Sequence, residues 1–343
     1  MLRRTFLAMG ASVLAAAPQQ KRRVKFGVDL FSIRSSGWTP FQYLDFCAGH
    51  GVEVVHFSEI RFLGGLEDEH LKKVRAHAER LGMGVEIGMR SFCPSSKSFD
   101  AKAGTAEEQV LRMVQAAKTL GSPIVRAFLG TSNDRTGPVP MEGHIENAVK
   151  VLRNVKPQVV DAGLKIAVEN HAGDMQAREV KSLIEGAGKD FVGACLDSAN
   201  PLWAIEDPHL TLETLAPYVL TSHLRDSTVW RTPEGAAVAW VRTGEGNVGM
   251  EEWVRKFADL CPGRALSAEV IVIPGRNYNY LDPKFWDAYR TTPAWEFARF
   301  VRLAERGKPL PPAPPVPREE AAAREREDLV ASLNWTKALL ANL

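Results

Sequence analysis

The chain is expected to fold as an α/β protein, a (β/α)8 TIM barrel with a C-terminal helical extension. Three observations point there. From Val24 onward, short β-rich runs alternate with amphipathic stretches of helical length, the pattern that demands parallel strands with helices outside. Eight such runs occur within roughly 280 residues, the count and size of a closed barrel. No GxGxxG follows the first run, which leaves a doubly wound sheet as second choice.

Residues 1–17 stand apart from that fold. Arg3 and Arg4 precede an apolar stretch from Phe6 to Ala17 that closes on Ala15, Ala16 and Ala17. At about 12 residues it is shorter than the roughly 20 that a bilayer-spanning helix needs, so it reads as an export leader, not an anchor. The paired arginines resemble a twin-arginine signal. The expected location is therefore exported and periplasmic, with no stable membrane span.

The barrel is expected over residues 24–307. Its strand runs are 24–33, 52–57, 84–89, 123–128, 165–170, 191–197, 218–224 and 265–271. Between them lie helix-period segments such as 40–48, 67–81, 106–120 and 144–162, several closed by a glycine (Gly82, Gly121, Gly163) suited to a helix C-cap. The glycines at 244, 246 and 249 lack the Gly-Lys-Ser/Thr ending of a phosphate loop, and a tight turn before a helix at Met250 is the better reading. After the eighth run, residues 274–292 carry Arg276, Tyr278, Tyr280, Trp286 and Tyr289 before a helix over 293–306. A loop there lies on the C-terminal face, where its aromatics either cover a ligand or pack on the barrel. Residues 308–317 hold six prolines and read as a stiff linker. The final helix, within 318–343, is charged in its first half and apolar in its second. It docks on the barrel or on a second subunit, which leaves a homo-oligomer open.

Composition narrows the partners. With Lys plus Arg at 43 and Asp plus Glu at 41, the chain has no field to hold a phosphate backbone, so nucleic acid is excluded as a main partner. Cys47, Cys93, Cys195 and Cys261 show no zinc-site spacing and read as buried thiols.

Barrel enzymes build their sites at the C-terminal ends of strands. The fifth run reads Lys165-Ile-Ala-Val-Glu169-Asn170-His171, the sixth ends at Asp197, the seventh contains His223-Leu224-Arg225-Asp226 and the eighth reaches Glu269. Each delivers an ionisable group where an apolar strand stops. Carboxylates on neighbouring strands repel one another unless a cation sits among them. Glu169, Asp197, His223 and Glu269 together supply three oxygen ligands and one imidazole, a set for one divalent metal ion. Mn²⁺ is the leading choice, and Mg²⁺, Co²⁺ and Zn²⁺ also fit. The competing reading of the acids is a structural ion-pair network with Arg90, Arg126 and Arg225. Alternation along a strand puts His171 on the face of Glu169 and Arg225 on the face of His223. These two and Asn200 are therefore expected to touch substrate.

In order along the chain, Glu169-Asn170-His171, Asp197-Ser198-Ala199-Asn200, His223-Leu224-Arg225-Asp226, Gly244-Glu245-Gly246 and Ala268-Glu269 resemble the xylose isomerase-like TIM-barrel superfamily, in its sugar phosphate isomerase/epimerase group. The resemblance covers about 24–307. It implies one divalent metal on the four named positions, with Glu169 and Glu269 also exchanging protons with a small-molecule carbohydrate. The expected function is a metal-dependent sugar isomerase or epimerase that abstracts a proton next to a carbonyl and passes through an enediolate. The alternative is a lyase or dehydratase on a keto-sugar or keto-inositol, in which the same enediolate expels a leaving group. A non-catalytic sugar-binding barrel is the reading from a different class. A phosphodiesterase lacks its basic groove, and a Schiff-base aldolase lacks a lysine at a strand end.

Overall fold

The computed structural model describes residues 24–311 and 316–343. The expected leader, 1–17, lies outside them, as does part of the proline segment. Eight parallel strands close into a barrel: β1 (Lys25–Asp29), β2 (Val54–Phe57), β3 (Gly84–Ser91), β4 (Ile124–Phe128), β5 (Lys165–Glu169), β6 (Val192–Asp197), β7 (Val219–Leu224) and, completing the ring between β7 and β1, β10 (Ala265–Ala268). Seven helices follow the strands in turn: α1 (Pro40–Gly49), α2 (Asp68–Arg80), α3 (Ala106–Leu120), α4 (Met141–Asp161), α5 (Ala177–Ala187), α6 (Pro208–Leu215) and α7 (Met250–Leu260). Local chemistry sets several of their ends. Thr39 with Gln42 and Thr105 with Glu108 form capping boxes at the starts of α1 and α3, satisfying otherwise orphaned N–H groups. Gly121 ends α3 in the left-handed region at φ 85°, which a Cβ would strain.

The first strand is shorter than its apolar run. Asp29 accepts a hydrogen bond from the Phe31 N–H and turns 30–33 into a 3₁₀ helix, so the local cap overrides the continued hydrophobicity.

A second, three-stranded antiparallel sheet is an element that apolar periodicity did not reveal. It is built from β8 (Asp226–Thr232), β9 (Gly235–Val241) and β11 (Ile273–Tyr278), in the order β11-β9-β8. Only Arg225 separates the end of β7 from the start of the hairpin, and β11 comes from the aromatic segment after β10. Asp226 anchors it: its Oδ2 accepts the N–H of Gly244 at 2.9 Å and of Gly246 at 3.1 Å. That settles the glycine stretch as a turn, since a Cβ on Gly246 would lie 2.1 Å from Asp226 Oδ1. Tyr278, Tyr280 and Tyr289 are buried, and α8 (Ala294–Arg306) packs on β8.

The terminal helix α9 (Ala321–Leu340) docks on its own barrel. It buries Leu329, Leu333 and Leu339 and packs against β10 and the 3₁₀ turn after β1. Asp328 accepts from Arg242 at 2.7 Å, Glu325 from the Ser35 N–H at 2.8 Å, and Lys337 donates to the His50 carbonyl at 3.3 Å. No helix among the described residues is long and apolar enough to cross a membrane.

One buried acid at the foot of α5 carries a prediction. Burial pushes the Glu206 carboxyl up to about 7 from an ordinary 4.5, although Thr211 Oγ1 and the Ala177 N–H donate to it. A folded-state pKa above the unfolded value means that the protonated group's stabilisation is complete below pH 4.5 and is lost as pH rises toward 7. Glu206→Gln should therefore exceed the parent in stability by up to about 3 kcal/mol near pH ~8, with the difference gone near pH ~4. Urea unfolding at the two pH values checks this; a variant equally destabilised at both would show the group to be ionised in the fold.

Candidate active site

The site grows out of the strand ends. Glu169 closes β5, Asp197 closes β6, His223 is the penultimate residue of β7, and Glu269 follows the last residue of β10. Parallel register aligns them: Asp197 pairs with His223, and His223 with Ser267. Glu169, Asp197 and His223 are fully buried and Glu269 is 5% exposed. One ligand atom from each of the four lies within 4.8 Å of all the others. Four residues spread over a hundred positions thus converge as the strand-end pattern predicts.

Their neighbours fix each one. Asn170 clasps Asp197 by donating to its carbonyl and accepting its N–H, both at 2.9 Å, which ties β5 to β6. Asp197 Oδ1 accepts the N–H groups of Ala199 at 2.8 Å and Asn200 at 2.7 Å. Burial, followed by Glu169 and Glu269 nearby, pushes the Asp197 carboxyl up to about 7 against the opposing pull of Arg225. Glu169 Oε1 accepts from Asn200 Nδ2 at 3.2 Å and Oε2 is ion-paired with Arg126. Against the effect of burial, Arg126 and then His223 hold Glu169 well below the usual carboxylate range. His223 Nδ1 lies 3.3 Å from Glu169 Oε2 and 3.4 Å from Glu269 Oε2. Neither His223 Nδ1 nor Glu269 Oε2 has a hydrogen-bond partner among the described residues.

The expected substrate contacts divide. Arg225 reaches the acids: its Nη1 is 3.2 Å from Asn200 Oδ1, 3.4 Å from Asp197 Oδ2 and 3.5 Å from Glu269 Oε2. Asn200 spans Glu169 and Arg225, so its side chain organises the acids. His171 stacks on Phe128 at 3.8 Å, and its Nδ1 bonds the Gly130 carbonyl at 2.7 Å, leaving only Nε2 for other contacts. Of the arginines in the ion-pair reading, Arg126 and Arg225 are both present beside the acids. Arg90 is exposed and lines a separate surface cavity.

A second buried layer lies behind His223 and was missed in the sequence. Asp29, His56 and Glu86 are register partners on β1, β2 and β3. His223 Nε2 sits 3.0 Å from His56 Nδ1 and 3.2 Å from Asp29 Oδ2. Burial tends to raise the Asp29 carboxyl, but His223 and His56 bring it to about 2, and burial drives His56 down to about 3. An anionic Asp29 on the far nitrogen orients the imidazole so that Nδ1 faces the other acids, as partners behind metal-bound histidines do. The signal was available, because Asp29 and His56 also stand where apolar strands end.

The donor set fits a divalent cation. Metal–ligand distances of roughly 2 Å place opposite donors about 4 Å apart, inside the observed spread. Three carboxyl groups and an imidazole gather beside two guanidinium groups, and His223 Nδ1 and Glu269 Oε2 face each other at 3.4 Å with neither making a hydrogen bond.

A closed parallel barrel with buried acids and an imidazole gathered at its strand ends defines a class: (β/α)8 barrels with an enzyme-like polar centre. Residues 44–282 match the family described as Xylose isomerase-like TIM barrel, and the chain belongs to that family. A 3-oxo-isoapionate decarboxylase of Pectobacterium atrosepticum is 24% identical over 183 residues, 53% of this chain and 59% of the relative. The chain thus spans less than two thirds of that relative. D-psicose 3-epimerase of Clostridium cellulolyticum H10 shares the fold with TM-score 0.56 at 15% identity, covering 82% of this chain and 96% of that one. The zinc-containing IOLI protein does so with TM-score 0.56 at 15% identity, covering 90% and 98%.

Proposed function

We propose that the chain is a divalent-metal-dependent enzyme that isomerises or epimerises a small carbohydrate by moving a proton on a carbon next to a carbonyl. The observation that carries this reading is the convergence of Glu169, Asp197, His223 and Glu269 within 4.8 Å, with neither His223 Nδ1 nor Glu269 Oε2 hydrogen-bonded. These four would hold the ion, Mn²⁺ being the leading choice, and when bound it would polarise a carbonyl and acidify the neighbouring C–H. Glu269, whose Oε2 accepts no hydrogen bond, takes the proton. Glu169 stays ionised beside Arg126 and offers the second carboxylate once that contact loosens. Arg225 and Asn200 orient the acids, and the depth of the site keeps bulk water from competing for the proton.

A lyase is the second reading, favoured by the asymmetry of the two glutamates. Both oxygens of Glu169 accept hydrogen bonds, whereas Glu269 Oε2 accepts none and has only the longer ion-pair contacts to His223 and Arg225, an asymmetry that suits chemistry run by a single carboxylate. The decarboxylase among the relatives supports the same reading.

Incubating Mn²⁺-loaded protein with ketoses, keto-glycosides and keto-inositols in deuterated water tests both. The expected result is deuterium at one carbon of an isomeric product. Loss of water or carbon dioxide would assign the lyase. Absence of exchange and of turnover across the panel would overturn the enzyme reading.

A further inference from the structure

We propose that Arg225 reads a carboxylate on the substrate, so that the carbohydrate taken by this site is a sugar acid; this rests on the reading above only in placing the substrate beside the four converging residues. Arg225 is 4% exposed. Its Nη1 is spent on Asn200 and lies near Asp197 and Glu269, while Nε and Nη2 have no hydrogen-bond partner. Those two nitrogens form one edge of the guanidinium plane, the edge that pairs with both oxygens of a carboxylate through parallel hydrogen bonds.

The edge is held rigidly. The guanidinium carbon lies 3.7 Å from the centre of the Trp240 ring, which fixes the plane and covers one face. Trp240 in turn stacks on Trp203 at 3.9 Å with 13° between planes. Asp197 and Glu269 already face the charge on Nη1, but two buried donors without acceptors are destabilising in the empty protein and are satisfied when a two-oxygen acceptor arrives. A hydroxyl offers one acceptor atom and no charge, whereas a carboxylate offers two oxygens and the matching charge. The indole N–H groups of Trp203 and Trp240 are also buried and unpartnered, so the stacked pair that supports this guanidinium offers it no acceptor. Trp240 comes from β9 of the second sheet and Trp203 from the segment after β6.

The test is calorimetric binding to the full chain with two matched pairs: 2-keto-D-gluconate against D-fructose, and 5-keto-D-gluconate against L-sorbose. Each acid differs from its ketose only by a terminal carboxylate in place of CH₂OH. In Mn²⁺-loaded protein, one acid should bind at least roughly tenfold tighter than its ketose, and Arg225→Lys, which keeps the charge but loses the fork, should remove most of that preference. Chelation by the metal would survive Arg225→Lys, so a preference that persists in the variant overturns the inference, as does equal binding within both pairs. Should the variant not fold by circular dichroism, the metal-free wild type decides: with no cation to chelate the acid, the same preference for the acid over its ketose must persist, and its loss overturns the inference. Failure of the metal reading is seen separately, as absence of Mn²⁺ binding by electron paramagnetic resonance. The fork still requires the acid preference in that protein.

Discussion

Glu269→Gln should lower kcat by about 10³-fold on any carbohydrate that shows solvent deuterium exchange, with the far-ultraviolet circular dichroism unchanged. The magnitude is that of losing a positioned general base. Glutamine keeps the size and one carbonyl oxygen but cannot accept the proton. Glu269 is suited to the role because its Oε2 accepts no hydrogen bond in a buried site, with His223 Nδ1 at 3.4 Å and Arg225 Nη1 at 3.5 Å. His223, with Arg225 next, offsets burial and brings the carboxyl below its ordinary value, so it is ionised and ready to take a proton at neutral pH. The decisive measurement is the rate of deuterium wash-in at the reacting carbon. Retention of the parent rate would move the base to Glu169, and unaltered ligand binding with unaltered turnover would remove Glu269 from the chemistry.

Arg126→Met should destabilise the metal-free protein by about 3–5 kcal/mol, the usual result of stripping one partner from a buried ion pair. Arg126 is 4% exposed and Glu169 fully buried, so no solvent takes over the compensation. The same argument fixes the response to metal. Adding Mn²⁺ should recover more stability in the variant than in the parent, because the cation supplies the missing positive charge as well as its binding free energy. Urea unfolding with and without Mn²⁺ checks both parts. A loss under about 1 kcal/mol would show Glu169 to be protonated in the fold, and an equal Mn²⁺ increment in both proteins would separate Arg126 from the metal site.

Most of the barrel was legible because its strands are short apolar runs ended by glycine, capping or ionisable residues. Glu169, Asp197 and Glu269 were legible for a related reason: a charge at the end of a buried strand has few explanations. Asp29 and His56 met the same criterion yet were absorbed into longer apolar runs, 24–33 and 52–57, where the neighbouring hydrophobic residues masked them. The β8-β9 hairpin escaped because Trp230, Val238 and Trp240 sit among Thr, Arg and Ala, so period-two alternation is weak there. Asn200, expected to touch substrate, also bonds Glu169 and Arg225, contacts that depend on three strand-end segments meeting.

By itself, the order of residues determined the alternation of strand and helix, the positions of strand-end acids and the family resemblance, since these depend on hydrophobic periodicity and on residue types a few positions apart. Tertiary structure alone decided that Arg126 occupies Glu169, that Asp29 and His56 stand behind His223, that Trp240 supports the free edge of Arg225, and that α9 closes on its own barrel. Each of those is a contact between segments far apart in the chain. Closing the ring, and folding a second sheet beside it, sets which distant charges share one low-dielectric space.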